Sequence, residues 1–497
     1  MADSFYPPRH LYYDGQVQVG SGTIFRSIDP STAQPLADIH AASHSDIDSA
    51  IQSAQRAFHH WSTTPPILRS RVLLKAVQLL RDRNDEIART ETQDTGKPFS
   101  ETSTVDVVTG ADVLEFFANL VGAGGLNGET TQLREDAWVY TKKEPLGVYM
   151  DMELRLKVSR ALWKSAPCLA AGNTMVYKPS EVTPLHGQIL AEIFTEAGLP
   201  PGVFNVVQGG GDVGAYLTSH EVIAKVSFTG QVSTGKKVAS SAAAGMKYTT
   251  MELGGKSPVI ILPDADLEQA VDGAMMANFF STGQVCTNGT RVFIPNDMKQ
   301  AFEEKLLEKM KYVRAGDLMD MNTNFGPLVS EMHYDKVIGY IKHGVEKDRA
   351  TLLCGGPDHP REIPGLEGGY WVRPTVFTDC TDSMRIVQEE IFGPVMTLLT
   401  YKSVEEAIER ANATALGLAA GVFTKDLNMA HRVIAKLEAG ITWVNTWGES
   451  PAEMSVGGWK QSGVGVENGK RGLEAWVRNK STLVDMSGTV PTVFSKL

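Results

Sequence analysis

The sequence predicts an α/β protein, with a parallel, doubly wound sheet followed by a second α/β block. Three observations carry this expectation. Short apolar runs alternate with amphipathic helical stretches from Thr174 to Leu262, and a second α/β pattern runs from about Gly255 to Asn445. No repeat, low-complexity tract or long linker interrupts them, so the blocks are expected to pack tightly together. With 497 residues, the chain has room for about three domains and for large cores without disulfide or metal staples.

The elements follow in chain order. Ile47, Ile51, Ala54 and Phe58 mark one face of a helix from Asp46 to Trp61, and Val72 to Leu80 continues in the same way. Trp138 to Thr141 reads as a short strand, closed by the turn Lys142 to Gly147. Thr174 to Tyr177 is the next strand, ended by Lys178-Pro179. A helix marked by Leu185, Ile189, Ile193 and Phe194 stops at the Gly198 to Gly202 turn. Val203 to Val207 and Ala224 to Phe228 are further strands, with a short helix ending at Ser219 between them. Gly230 to Gly235 reads as a glycine-bounded loop before a helix from Lys236 to Ala244. In the second block, a helix capped by Asp266 delivers the chain to Cys286.

Composition excludes several classes. Lys and Arg number 47 against 58 Asp and Glu, a net charge of −11, which disfavours a broadly basic nucleic-acid surface. No apolar run approaches the length of about 18 that a membrane span needs. The N-terminal Met1 to Pro8 shows no basic-then-apolar leader. Cys168, Cys286, Cys354 and Cys380 include no CxxC pair, so reduced thiols are expected, with no zinc site or disulfide framework.

Two motifs concentrate chemistry. Met251-Glu252-Leu253-Gly254-Gly255-Lys256 sets a carboxylate at a strand end before two glycines that permit close backbone approach. Further on, Gly283-Gln284-Val285-Cys286-Thr287-Asn288-Gly289 places a cysteine in a glycine-flanked loop after a helix, where a thiol can be exposed and activated. In this order and spacing the pair resembles the aldehyde dehydrogenase superfamily. Lys178-Pro179-Ser180-Glu181, Phe228-Thr229-Gly230 with Gly235, Glu389 to Pro394 and Gly457 to Gly463 extend the resemblance over nearly the whole chain. The string Gly283 to Phe293 looks most like the betaine aldehyde and trimethylaminobutyraldehyde dehydrogenases.

The resemblance implies a Rossmann-type NAD-binding domain over 1–134 and 150–254, and a catalytic α/β domain over 255–446. It assigns oligomerisation strands and a tail to 135–149 and 475–497. It makes Cys286 the nucleophile, forming a thiohemiacetal and then a thioester, with Glu252 activating the hydrolytic water. The hydrolytic base disfavours a CoA-acylating enzyme. Lys178 and Glu181 would bind the adenosine ribose, and a carboxylate there favours NAD over NADP. Gly230 and Gly235 would face the pyrophosphate, although Gln231 replaces the usual serine. Leu253, Glu390 and Phe392 complete the cofactor set, and Lys164 and Glu467 form a supporting charged relay. Trp163, Phe280 and Trp447 would form an aromatic cage for a trimethylammonium substrate. Val456 stands where many relatives carry an aromatic residue.

One block departs from the pattern. Relatives carry a glycine-rich segment ending in Trp-Asn-aromatic-Pro, whose Asn donates to the thiohemiacetal oxygen. Here Met150 to Arg160 is a charged stretch with no Asn, one residue short. The intact flanks point to a shifted reading frame or misplaced splice junction. The rival expectation is therefore a catalytically impaired or dead homologue with a binding or structural role. Trp138 to Thr141 and Ser481 to Val484 match oligomerisation strands, so a homo-oligomer, dimer or tetramer, is expected. The chain ends in Ser495-Lys496-Leu497, which predicts a peroxisomal import receptor as partner and a peroxisomal location, with a possible cytoplasmic fraction. Beyond these, the partner is a small-molecule aldehyde, with no nucleic acid and no membrane.

Overall fold

The computed structural model describes residues 6–153, 158–361, 363, 365–490 and 492–494. The terminal Ser495-Lys496-Leu497 lies outside the described residues, as do residues 154–157 of the departing block. No described helix is long and apolar enough to cross a membrane.

Five parallel strands form the heart of the first sheet: β1 (Val148–Glu153), β2 (Thr174–Lys178), β3 (Phe204–Val206), β4 (Ile223–Gly230) and β5 (Tyr248–Leu253). Their spatial order is β3-β2-β1-β4-β5, with the direction of succession reversing between β1 and β4. That reversal is where open α/β sheets place ligands, beyond the carboxyl ends of the strands. Leu11–Tyr13 extends one edge antiparallel to β3, and Gly463–Val464 covers the other beside β5.

The charged block does not abolish the central strand. Met150, Asp151 and Met152 pair with Val176, Tyr177 and Lys178 on one side and with Val226, Ser227 and Phe228 on the other. Alternation explains how. Met150 and Met152 join Val176, Val226 and Phe228 in the core on one face, whereas Tyr149 packs with Tyr177 on the other. Asp151 is thereby fully buried beside Tyr149, whose hydroxyl donates to it at 3.2 Å.

The second sheet holds β6 (Pro258–Ile261), β7 (Arg291–Pro295), β8 (Thr375–Thr378), β9 (Val395–Tyr401), β10 (Ala419–Phe423) and β11 (Ile441–Val444). All six run parallel in the order β8-β9-β7-β6-β10-β11, with Thr351–Cys354 antiparallel on β8. Almost every residue of these strands is buried, the signature of parallel strands covered on both faces.

A separate three-stranded antiparallel sheet pairs Ala137–Pro145 with Val477–Asp485 and Thr130–Arg134. The first strand therefore runs through the Lys142 to Pro145 stretch read from sequence as a turn. Nine consecutive backbone pairs with Val477–Asp485 hold it extended, with Lys142 exposed, Lys143 near Glu474 and Glu144 paired with Lys480 at 2.7 Å.

Three helices position the site. α1 (Val158–Ala171) starts where the Val158 amide donates to buried Glu91 at 3.1 Å. α2 (Val232–Ala244) begins four residues before the sequence expectation, taking Gly235 into its first turn. A Cβ on Gly235 would collide with the Leu253 side chain, so glycine is what lets α2 lie close on β5. α3 (Leu267–Phe279) is capped by Asp266, which accepts from the Gln269 amide at 3.1 Å.

Candidate active site

Glu252 stands near the carboxyl end of β5, and Cys286 lies in the loop after α3. Gly255 brings them together, because a Cβ there would stand 2.6 Å from the Cys286 carbonyl oxygen. The adjoining Gly254 faces the Glu390 carboxylate, which accepts from the Gly255 amide at 3.1 Å.

The cysteine loop is held in an uncommon conformation. Ser281, Thr282 and Gly283 all lie in the left-handed region, at φ 51°, 53° and 69°. Tertiary bonds enforce it. The Ser281 amide donates to Glu101 at 3.1 Å, Glu101 pairs with buried Lys97 at 2.8 Å, and the Thr282 hydroxyl donates to the Gly326 carbonyl at 3.0 Å. Gly283 backs onto Gly393, where any side chain would collide. Phe392, beside it, is also left-handed at φ 62°, with its carbonyl accepting from His333 Nε2 at 2.6 Å.

Cys286 and Glu252 share one open cleft with Arg160, Glu181, Gly230, Glu390 and Phe392. Its empty volume is about 1190 Å³, including solvent at the mouth. Glu181 sits at the rim with its side chain 42% exposed, 3.5 Å from the buried Lys178 ammonium. Burial lowers the Lys178 pKa against the opposing pull of Glu181.

Behind Glu252 lies a buried charged cluster. Lys164 donates to Glu467 and, at 2.8 Å, to the Ser227 hydroxyl. Two reciprocal backbone bonds with Val456, of 2.7 and 2.8 Å, fix Glu467 in place. Burial would strip the Lys164 proton, but Glu467, Asp151 and Glu252 outweigh it and raise its pKa. Glu252 is held well above the usual carboxylate range, chiefly by burial and secondly by Glu467, while Lys164 and Arg160 pull the other way. Burial is also what pushes Asp151 up to about 7. The buried Glu252 Oε1 has no hydrogen-bond partner among the described residues, so its lone pairs are not taken up by the protein there.

Several sequence-derived candidates sit elsewhere. Trp163, Phe280 and Trp447 do not line the cleft of Cys286 and Glu252. Trp447 is 5% exposed, packs tilted against Trp443 with ring centroids 4.9 Å apart and fills the space above Gly289 and Gly421. Trp163 is buried on α1 with one face covered by the Arg160 guanidinium, 4.0 Å from the ring centroid. Phe280 is half-buried at the end of α3. Gly235 and Leu253 serve the α2–β5 packing.

Arg160 and Asp151 are the charged groups that sequence reading did not single out. Spacing offered a signal for the first: residues 160, 163 and 164 share one helix face, so Arg160 accompanies Trp163 and Lys164. Arg160 Nη2 donates to Cys286 Sγ at 3.8 Å.

A buried carboxylate and a loop-borne cysteine sharing one cleft, beside a parallel sheet of order 3-2-1-4-5, match known proteins. The profile of the aldehyde dehydrogenase family fits residues 17–482. The chain belongs to the aldehyde dehydrogenase family. It is 37% identical to an aldehyde dehydrogenase from Bacillus cereus solved as an NAD+ complex, with 97% of each chain covered and a TM-score of 0.93. A betaine aldehyde dehydrogenase from Staphylococcus aureus, solved with NAD+, is 36% identical over 98% of this chain and 99% of that one, with a TM-score of 0.94. A gamma-glutamyl-gamma-aminobutyraldehyde dehydrogenase from Burkholderia cenocepacia is 36% identical, with 96% of each chain covered and a TM-score of 0.92.

Proposed function

We propose that this protein oxidises an aldehyde to the carboxylate with NAD+, through covalent attachment to Cys286 and hydrolysis assisted by Glu252. One observation carries the proposal: Cys286 and a buried carboxyl with a raised pKa open into the same cleft. Nucleophile and base are then within reach of one bound carbonyl.

The cleft fits a dinucleotide. Glu181 at its rim, with Lys178 buried beside it, would hold the adenosine ribose, the amide end of α2 beside Gly230 would meet the pyrophosphate, and Glu390 and Phe392 would hold the nicotinamide ribose and ring. When bound, NAD+ supplies a hydride acceptor. The protein's own steps frame that transfer. Cys286 Sγ attacks the carbonyl carbon, and the C–O π pair moves to oxygen, giving the thiohemiacetal. After oxidation the acyl group remains on Sγ as a thioester. Glu252 takes a proton from water, the resulting hydroxide adds to the thioester carbon, and the thiolate leaves. The relay behind Glu252, Glu467 with Lys164, tunes how readily it accepts that proton.

For the substrate, the resemblance favours betaine aldehyde or a related aminoaldehyde, whereas the Arg160 guanidinium over Trp163 favours an uncharged group at that indole. The indole that a trimethylammonium cage would use already carries the Arg160 guanidinium. A second reading, an impaired homologue, draws on the missing Asn in 150–160. Both are tested by following NADH absorbance with purified protein, NAD+ and an aldehyde panel, against Cys286→Ala as control. NADH formation by the native chain alone supports the proposal. Binding of NAD+ without turnover of any aldehyde supports the impaired homologue.

A further inference from the structure

A thiol nucleophile in this reaction needs two electrostatic services. Something must favour the thiolate over the thiol, and something must receive the negative oxygen that forms when sulfur adds to the carbonyl. The departing block contains no Asn to perform the second service. The structure brings a different group to the sulfur. Arg160, one turn before Lys164 on α1, directs Nη2 to Cys286 Sγ at 3.8 Å.

Three features show that this guanidinium is placed rather than stray. Its Cζ lies over the Trp163 indole, 4.0 Å from the ring centroid, a contact that restrains the side chain. Among the described residues it makes no ion pair within 4 Å. It also lines the cleft that Cys286 and Glu252 share, and its charge is felt at Glu252. A cation held in a partly desolvated cleft acts far more strongly than one in water.

We propose that Arg160 is a catalytic residue of this chain, holding Cys286 as the thiolate and donating to the oxyanion of the thiohemiacetal. This rests on the aldehyde-oxidising reading above. The addition step balances without a further reactant. The sulfur lone pair forms the C–S bond, the C–O π bond breaks, and its pair settles on oxygen next to the guanidinium. The proton stays on Arg160 throughout. An oxygen two bonds from Sγ lies within reach of a donor 3.8 Å from that sulfur, given the about 2.7–3.1 Å that oxyanion donors require. Arg160 thereby supplies from a helix what relatives supply from the segment absent here.

The test uses the full-length protein with Arg160→Ala and Arg160→Lys, and two readouts. The first is the pH dependence of Cys286 alkylation by iodoacetamide, followed by intact mass. Arg160→Ala is expected to raise the midpoint by about one to two pH units, with Arg160→Lys restoring most of the shift. The second is the rate of the pre-steady-state NADH burst, expected to fall by about 10²–10³-fold in Arg160→Ala. An alkylation midpoint unmoved in Arg160→Ala, or a burst within twofold of native, overturns the assignment. If the alanine variant does not fold, Arg160→Gln removes the charge but keeps a donor of similar length, and the same midpoint rise is required of it. A native chain that makes no NADH with any aldehyde sinks the aldehyde-oxidising reading. The alkylation profile still decides whether Arg160 controls the thiol.

Discussion

Arg160 covers the indole face of Trp163 with its guanidinium, 4.0 Å from the ring centroid. A quaternary ammonium seeking that face would have to displace a cation already stacked there, at a like-charge cost. The expected outcome is that 3,3-dimethylbutanal, a neutral analogue of betaine aldehyde, is oxidised with a higher kcat/KM than betaine aldehyde. The gap should narrow as salt is raised, since screening weakens the repulsion. A lower KM for betaine aldehyde, insensitive to salt, would show that the guanidinium moves aside and the cage forms.

Cys286 and Glu252 are expected to fail in different ways. Cys286→Ala should abolish aldehyde oxidation, because the nucleophile is gone. Glu252→Gln should leave the NADH burst and slow only the steady state, with acyl-enzyme accumulating as a mass increase on Cys286. Because the carboxyl of Glu252 is held well above its usual range, the native steady-state rate should climb with pH until that group has ionised. Rapid-quench mass spectrometry across pH checks both statements. Burst and steady state falling together in Glu252→Gln would remove it from deacylation.

Asp151 makes the folded state sensitive to pH. Its pKa is raised to about 7 by burial, from 3.8 in a free chain. The folded protein therefore binds a proton that the unfolded chain releases, so this residue costs nothing below about pH 4 and costs progressively more up to about pH 7. Above that the penalty is constant. Asp151→Asn keeps an acceptor for the Tyr149 hydroxyl and removes the charge. It should raise Tm by about 2–4 °C or more near pH 8.5, with less than half of that gain near pH 5. Equal gains at both values would show that packing is responsible instead.

The three-stranded sheet offers an assembly surface. Leu133 and Leu483 are 51% and 58% exposed on its strands, and the outer backbone of Val477–Asp485 is an open edge. Exposed strand edges are usually paired or guarded. A homo-oligomer built through this sheet is expected, and Leu483→Lys should weaken it. Light scattering at micromolar concentration reads the mass directly, and a monomer would remove the expectation.

Much of this protein is legible in its sequence. The alternation from Thr174 to Leu262 carried the parallel sheet, because strands buried on both faces leave continuous apolar runs with glycine at their ends. The two motifs around Glu252 and Cys286 pointed to the reactive pair, since each is a contiguous string whose glycines permit close approach. The extent of the helix holding Gly235 was not legible. A glycine reads as a loop locally, and only the Leu253 side chain across the interface shows why it belongs inside a helix.

Tertiary structure decided everything that depends on groups far apart in sequence. In Met150 to Glu153 the charges conceal a period of two, and the pairing of β1 with β2 and β4 turned Asp151 inward and kept the strand. Trp447 looked available for a ligand until Gly289 and Gly421 drew it into the core. The environment of Cys286 joins Arg160 from α1, Glu252 from β5 and the loop after α3. Their sequence separations exceed any periodicity that a linear reading can follow. Sequence fixes which groups each element presents, because side-chain direction follows local geometry. Which of them meet, and at what charge, is set by the packing of elements and the low dielectric it creates.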